Sequence, residues 1–364
     1  MALTLTVDGD RWRSHLRGVA DANPGLVPVV KGNGYGFTPG RLARKSEWLG
    51  VDTIAVGTYE ELPGVASRFG GSLLVLTPWR PFVADLPPEL AGRVIHTVGR
   101  VEDVDALLTR QPGARLVLEL LTSMKRHGFT ARGLWDAAEH LRRHRSARLE
   151  GVALHLPLAQ GSHLGEVRRL MNDAVGAGLQ HLGQPGPDGQ PGRGGLDTVW
   201  VSHLTAGEQA ALRTSYADFT IRPRMGTDLW LGDRAALTVT ATVLDVHEVE
   251  RGDSFGYRGR TVPKAGHLLV VSGGTAHGIG LEAPTGDSSI KARAATLARG
   301  GLDAVGFVRS PFSIDDKQRL FAEPPHMQAS MLFLPSGARV PTVGDEIDVR
   351  VRYTATTFDR IVLS

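Results

Sequence analysis

The chain of 364 residues contains no cysteine. This absence excludes a disulfide framework, a thiolate metal site and a cysteine nucleophile. Long hydrophobic runs are also lacking, since no apolar stretch approaches the roughly 20 residues that span a bilayer. The first residues, MALTLTVDGD, lack the basic and apolar regions of a signal peptide. We therefore expect a cytoplasmic protein with no membrane partner.

An excess of one charge is missing as well. Lys and Arg together number 41, and Asp and Glu together number 38. The basic residues are scattered among acidic ones and form no runs, so we expect no nucleic-acid partner. The sequence gives no indication of a bound metal.

A lysine that follows a buried-strand pattern is the first chemical feature of the chain. Lys31 lies in VVKGNGYG (29–36), directly after a short apolar run. Burial disfavours the ammonium form, so a lysine at the mouth of a buried strand can lose its proton and attack a carbonyl carbon. An ordinary surface lysine at a strand end is the other interpretation. Lys31 is therefore a candidate Schiff-base lysine.

Short β-rich apolar runs alternate with segments of helical period in the first part of the chain. The runs are 27–30, 53–57, 72–77, 94–98, 115–119, 151–155, 198–202 and 219–224, and the clearest helical segments are 41–50, 131–144, 166–178 and 205–216. This alternation predicts an α/β fold, a closed (β/α)8 TIM-type barrel over residues 1–232. An open doubly wound sheet is the alternative, but its usual G-x-G-x-x-G turn is missing after the first run.

The pattern changes after Gly232. The runs 236–249, 267–274, 329–335 and 345–356 are β-branched, partly alternating and separated by Gly and Pro turns. No long helical period interrupts them. We therefore predict that the barrel is followed by a C-terminal all-β domain over residues 233–364.

Polar residues recur where the predicted barrel strands end. In a parallel barrel, the carboxyl ends of the strands carry the chemistry, and phosphate is commonly held after the last two strands. The residues at or just beyond those ends are Lys31, Arg126, His155, Ser202, Arg224, Gly226 and Thr227. Each also has a structural interpretation, such as an ion pair between Arg224 and Asp228. Their shared position favours one functional site.

Several segments resemble those of a known family. VVKGNGYG is similar to the pyridoxal-phosphate lysine motif of the alanine racemase family, usually written VVKANAYG. Similar segments follow in the family's order: AVGTYEEL (55–62), SMKRHGF (123–129), GVALHLPLA (151–159), RMGTDLWLG (224–232), GTAHG (274–278) and HMQ (326–328). The resemblance implies a pyridoxal 5'-phosphate barrel followed by a β domain. It also implies a small amino-acid substrate and a homodimer with shared active sites.

The resemblance assigns cofactor contacts to five residues around the phosphate end. Lys31 would carry the cofactor as a Schiff base and act as one proton-transferring base. Tyr35 and Ser202 would hold the phosphate together with backbone amides near Gly226 and Thr227.

The remaining roles concern the cofactor ring and the substrate. By resemblance, His155 would stack on the pyridine ring and Arg224 would hydrogen-bond its nitrogen. Arg126 would approach the phenolic oxygen and the substrate carboxylate, and the backbone of Met327 would also contact that carboxylate. The family has a carbamylated lysine seven residues before the arginine, where this chain has Glu119. Glu119 would supply the supporting anion without modification.

The main departure from the family lies in the second domain. Racemisation by two bases needs a proton acceptor on each face of the α-carbon, and the family takes the second from the tyrosine of GYADG. Thr275 stands at that tyrosine position, and its hydroxyl has neither the pKa nor the reach of a phenol. His277, two residues later, is the candidate replacement, although a surface turn histidine is the alternative.

Three interpretations remain open from the sequence. The first is a pyridoxal-phosphate-dependent amino-acid racemase or epimerase that uses Lys31 and His277. The second is a one-base enzyme of the same fold that acts on another amino-acid substrate. The third is a catalytically silent homologue that binds the cofactor and has a regulatory role. The retained residues Lys31, Arg126 and Arg224 favour chemistry on the cofactor.

Overall fold

The computed structural model describes residues 2–144, 146–158, 161–179, 196–281 and 308–364. The chain divides into two compact units. One consists of His15–Gly34 and Thr38–Gly232, and we call it the barrel unit. The other consists of Met1–Ser14, Tyr35–Phe37 and Asp233–Ser364, and we call it the β unit.

The strands are given first in chain order. They are β1 (Leu3–Val7), β2 (Val27–Val30), β3 (Thr53–Val56), β4 (Ser72–Val75), β5 (Val94–Val98), β6 (Arg115–Leu120), β7 (Arg148–His155), β8 (Thr198–Ser202), β9 (Thr220–Met225), β10 (Leu237–Val249), β11 (Ser254–Phe255), β12 (Arg260–Thr261), β13 (Gly266–Ser272), β14 (Arg309–Ile314), β15 (Lys317–Phe321), β16 (Ala329–Pro335), β17 (Glu346–Val349) and β18 (Arg360–Leu363).

The helices follow the barrel strands. They are α1 (Gly9–Ala22), α2 (Pro39–Leu49), α3 (Leu62–Ala66), α4 (Pro88–Ala91), α5 (Val101–Arg110), α6 (Ala131–Arg143), α7 (Leu164–Gly176), α8 (Ala206–Ser215) and α9 (Thr227–Leu231). Local sequence explains where two of them begin. The Thr130 hydroxyl accepts the Gly133 amide before α6, and Thr205 forms a capping box with Glu208 before α8. No helix in the described part of the chain is long and apolar enough to cross a membrane.

Strands β2 to β9 close into a parallel barrel within the described residues, so the predicted barrel is confirmed. Its core contains side chains from seven of the eight strands, β2 to β8: Val27, Val29, Ala55, Leu74, Ile95, Val117, Ala153 and Trp200. A pure apolar filling of this kind makes the barrel a packed core and leaves the chemistry to its rim. The carboxyl ends of the strands therefore carry the site.

The β unit contains a largely antiparallel sheet with strand order β13-β16-β15-β14-β17-β10-β1-β18, in which β1 and β18 pair in parallel. Its last predicted strand is shorter than expected, because pairing in the predicted segment 345–356 is confined to Glu346–Val349. The sheet accounts for the β-branched, alternating pattern of this part of the chain, since alternate side chains of β16 are buried. A C-terminal β domain is confirmed.

The amino terminus departs from the expected division at residue 232. Strand β1 pairs with β10, where Leu5 lies opposite Val239, and with β18, where Leu5 lies opposite Ile361. Leu3, Leu5 and Val7 are fully buried there. Residues 1–14 therefore group with the β unit, and the compact units differ from the expected ranges 1–232 and 233–364.

Candidate active site

A glycine-rich turn holds Lys31 at the rim of the barrel unit. Strand β2 ends at Val30, and the Gly34 amide donates to the Lys31 carbonyl at 3.0 Å. Gly34 has φ 63°, and a Cβ there would lie 2.6 Å from the backbone nitrogen of Pro39. Glycine is therefore required at this position. The Lys31 side chain remains open to solvent.

Glu61 supports the same turn. Its Oε1 accepts the amide of Gly32 at 2.7 Å, and its Oε2 accepts the amide of Gly57 at 2.7 Å. One carboxylate thus joins the turn after β2 to the end of β3. The resemblance in 55–62 contained this residue, but it gave no reason to assign Glu61 a role.

The surroundings of Lys31 lower the pKa of its ammonium group. Partial burial at the rim is the largest cause, and the positive charges of Arg126 and Arg224 act in the same direction. Glu61 opposes them. The neutral amine is therefore more populated than in an ordinary lysine, which favours attack on a carbonyl carbon.

Arg224 is a buried cation at the end of β9. Its Nε donates to Ser202 Oγ at 3.1 Å, and its Nη2 donates to the Leu154 carbonyl at 2.9 Å. Burial lowers the pKa of the guanidinium to about 10, and Glu119 opposes that shift. Arg224 therefore stays protonated at neutral pH. The ion pair with Asp228 considered above is replaced by these two hydrogen bonds.

Glu119 supplies the negative charge on this side of the rim. It is buried on β6, and burial raises the pKa of its carboxyl group, whereas Arg224 and Arg126 lower it. Arg126 itself is exposed on the loop that follows β6. Glu119 is thus a buried carboxyl group under the influence of two cations, and its supporting role stays a prediction.

His155 ends β7 as a neutral imidazole. Burial lowers its pKa to about 3, with further lowering by Arg224 and Arg126. The His155 ring lies against that of His203, with centroids 5.1 Å apart. His203 Nδ1 donates to the Leu156 carbonyl at 2.6 Å. The sequence interpretation missed His203, although it directly follows Ser202.

The loop after β9 leads into a short helix. The Trp230 amide donates to the Gly226 carbonyl at 2.9 Å, and Trp230 Nε1 donates to the Val29 carbonyl at 2.8 Å. The second bond ties α9 to β2, the strand that leads to Lys31. The first amides of a helix have no intrahelical acceptor, so those around Gly226 and Thr227 suit an anion.

Tyr35 lies on the same turn as Lys31 in sequence but groups with the β unit. It is buried and has a left-handed backbone with φ 54°. Burial raises the pKa of its phenol to about 12, so the side chain is a neutral donor at ordinary pH. Its phosphate contact stays a prediction.

Two segments singled out by the resemblance meet within the β unit. The Thr275 amide donates to the His326 carbonyl at 2.8 Å, and the Ala276 amide donates to the Met327 carbonyl at 2.9 Å. The Met327 side chain is 72% exposed. The GTAHG and HMQ segments, far apart in sequence, therefore form one surface that carries Thr275 and Met327.

His277 does not face that surface as an available base. It is buried, its Nδ1 accepts the Gly274 amide at 3.2 Å, and its Nε2 lies 3.1 Å from Asp359 Oδ1. Burial raises the pKa of Asp359, but the hydrogen bonds from His277 and the Leu3 amide outweigh burial and lower it. Both ring nitrogens are engaged. These contacts disfavour His277 as a proton acceptor, and its assignment as a second base stays a prediction.

The rim of the barrel unit thus combines three kinds of group. It has an amine of lowered pKa, a buried cation with a hydroxyl partner, and helix-start amides. A metal is not required by this set, and no group of three or more potential ligands occurs among the described residues. The donors suit an anion that also carries a reactive carbonyl group.

Comparisons with known proteins agree with the fold. Residues 7–182 match the family described as alanine racemase, N-terminal domain. An alanine racemase of Nitratidesulfovibrio vulgaris (strain DSM 19637 / Miyazaki F) is 27% identical over 263 residues, which are 70% of each chain.

Solved structures share the fold at low sequence identity. Alanine racemase from Bartonella henselae with covalently bound pyridoxal phosphate superposes with a TM-score of 0.69, 15% identity and full coverage of both chains. Histidine racemase from Leuconostoc mesenteroides subsp. sake gives a TM-score of 0.62 and 15% identity, covering 100% of this chain and 98% of the other. At these identities the likeness shows the fold alone.

Proposed function

We infer that this chain, which belongs to the alanine racemase family, is a pyridoxal-phosphate-dependent amino-acid racemase-like enzyme. The observation that carries the proposal is Lys31. It ends a barrel strand, it has a lowered pKa, and it lies beside cations suited to an anionic cofactor. A surface lysine at a strand end would need neither the lowered pKa nor the neighbouring cations.

The donor set of the barrel rim fits pyridoxal phosphate. Lys31 would hold it covalently through Nζ, and Arg224 would donate to the ring nitrogen. Ser202 already accepts from Arg224, so its own hydroxyl hydrogen remains to be donated to the phosphate with the amides near Gly226 and Thr227. His155, neutral over the ordinary pH range, suits stacking on the ring because it adds no charge.

The chain's own groups would direct the proton transfer. Bound pyridoxal phosphate supplies a conjugated system that withdraws electron density from the substrate α-carbon. Lys31 would take or return a proton on one face of that carbon. Arg126 would hold the substrate carboxylate, and Glu119 would balance the positive charge of Arg126 and Arg224.

The β unit would complete the site in a homodimer with shared active sites. The surface formed by Thr275 and Met327 has exposed side chains and so can meet a substrate. Light scattering at micromolar concentration should give about twice 39.0 kDa. A monomer that retains full activity would contradict this part of the proposal.

The test is uptake of the cofactor followed by turnover. Purified protein supplied with pyridoxal phosphate should gain visible absorbance, and the circular dichroism of D- and L-amino acids should decay as they interconvert. A small amino acid such as alanine is the first probe. Failure to gain absorbance would overturn the proposal.

One-base chemistry on the same cofactor is the second candidate. Two features favour it. Thr275 has a hydroxyl where the family has the phenol of its second base, and both ring nitrogens of His277 already have partners. Exchange of the α-hydrogen for deuterium in only one enantiomer would support it. A protein that binds the cofactor and exchanges neither enantiomer would instead support the silent regulatory homologue.

A further inference from the structure

A histidine and a buried glutamate lie beside the turn that carries Thr275. His326 Nε2 is 2.6 Å from Glu323 Oε1, and the Glu323 side chain is 2% exposed. The carbonyl of His326 accepts the Thr275 amide at 2.8 Å. An imidazole therefore belongs to the segment that pairs directly with the position of the missing tyrosine.

The carboxylate of Glu323 is held on both oxygens. Oε2 accepts the Tyr257 amide at 3.1 Å, while Oε1 faces His326. Gly256 has φ 70°, and a Cβ there would lie 2.2 Å from Glu323 Oε2. The absence of a side chain at Gly256 therefore leaves space for the Glu323 carboxylate.

This contact sets the tautomer of His326. A carboxylate oxygen accepts, so Nε2 carries the hydrogen and the lone pair of the neutral ring lies on Nδ1. The ring is also held edge-on by Tyr257, with centroids 4.7 Å apart. A carboxylate that orients an imidazole is the usual support of a general base.

The histidine lines an open cleft of about 680 Å³ together with Thr275, Met327 and Arg258. That volume is ample for an amino acid. Besides His326, the wall of the cleft carries the charged side chains of Arg258 and Glu323. His277, in contrast, faces Asp359 and Gly274.

We propose that His326 is the second proton-transferring base of this enzyme, with Glu323 as its positioning residue. The inference rests on the proposed function. In the reaction, the Cα–H bond would break, its proton would pass to Nδ1 of His326, and its electron pair would stay on the substrate, where the conjugated system that bound pyridoxal phosphate supplies would stabilise it. Lys31, having taken a proton from the ammonium group of the incoming substrate, would then give that proton to the opposite face. The reverse reaction exchanges the two roles.

Exchange of the α-hydrogen in deuterium oxide tests the assignment, with D- and L-alanine as separate probes. The wild type should exchange both enantiomers. His326→Gln should keep exchange of the enantiomer served by Lys31 and lose about 10²- to 10⁴-fold for the other, the usual contribution of a general base. His247→Gln is the matched control, since exposed His247 also has a carboxylate neighbour, Asp245, at 3.4 Å.

Cofactor attachment separates the two proposals. If the wild type takes up no pyridoxal phosphate at Lys31, the proposed function fails. If it takes up the cofactor and exchanges only one enantiomer, or if His326→Gln leaves both exchanges unchanged, the role of His326 is overturned and the proposed function stands. If His326→Gln loses exchange of both enantiomers and also loses cofactor attachment, His326 has a structural role and the inference is overturned.

The positioning role of Glu323 is tested by its effect on the exchange assigned to His326. Glu323→Gln should lower the same single-face exchange and move its pH profile, whereas Glu323→Asp should restore part of the rate. Equal effects of both variants on both enantiomers would overturn the positioning role.

A reagent that reacts with imidazoles gives a readout independent of turnover. Diethyl pyrocarbonate should acylate His326 in cofactor-free protein and leave buried His277 unmodified, as judged by peptide mass spectrometry. A His326 that resists acylation would contradict its place in an open cleft.

Discussion

Glu61 Oε1 accepts the amide hydrogen of Gly32, the residue directly after Lys31, at 2.7 Å. The other oxygen of the same carboxylate accepts the Gly57 amide. The position of Lys31 is therefore determined partly by a side chain in the connection that follows the next barrel strand, β3. This support explains how a short glycine-rich turn can hold Lys31 in one place.

Glu61→Gln should loosen this support. The amide side chain has one acceptor oxygen, so one of the two backbone donors loses its partner, at a cost of about 1–3 kcal/mol. We expect weaker binding of pyridoxal phosphate with little change in fold, measured by titration of the visible absorbance and by circular dichroism. Glu60→Gln, at the exposed neighbour, is the control. Equal affinity in both variants would contradict the assigned role.

Glu119 should make stability depend on pH. Burial raises the folded-state pKa above the ordinary value of 4.5. The folded protein then binds this proton more tightly than the unfolded chain. The contribution of Glu119 to the free energy of unfolding is fully present below pH 4.5 and is lost as the pH rises through the raised pKa.

The comparison with Glu119→Gln isolates that contribution. The free energy of unfolding of the wild type, minus that of the variant, should fall as the pH rises above 4.5 and through the raised pKa of Glu119. Urea denaturation at each pH measures it. For the exposed control Glu139→Gln, the difference in the free energy of unfolding should not change with pH. A difference that rises with pH would contradict the direction of the pKa shift.

Thr275→Tyr should restore a second base where His326 has been removed. Combined with His326→Gln, the new phenol should recover exchange on the face that lost it, because Thr275 and His326 share one surface. Thr275→Phe in the same background supplies the ring without the hydroxyl and should recover nothing. Equal rates in the two double variants would show that position 275 lies away from the α-carbon.

Much of the barrel could be predicted from local sequence. Each barrel strand is a short run of buried residues, and each expected helix has apolar residues at helical spacing, so neighbouring residues carry enough information. Strand β1 could not be found this way. Its partners, Val239 and Ile361, lie far along the chain, and LTLTV is too short to reveal them.

The candidate site shows the same limit. The residue types at strand ends indicated which side chains share the rim, because parallel strands place them there. The surroundings of individual histidines depend on side-chain contacts that the spacing of residues does not reveal. Asp359 engages His277, and Glu323 orients His326. Neither contact follows from the residue pattern, so the sequence could not show that both ring nitrogens of His277 are engaged.

The most direct test of the account is the attachment of pyridoxal phosphate to Lys31. The protein supplied with cofactor should be reduced with borohydride, digested and analysed by mass spectrometry, beside Lys31→Ala and the control Lys45→Ala, whose lysine lies over Trp48 on α2. We expect the reduced adduct on Lys31 in the wild type and in Lys45→Ala, and no adduct in Lys31→Ala. An adduct on another lysine, or none in the wild type, would contradict the account.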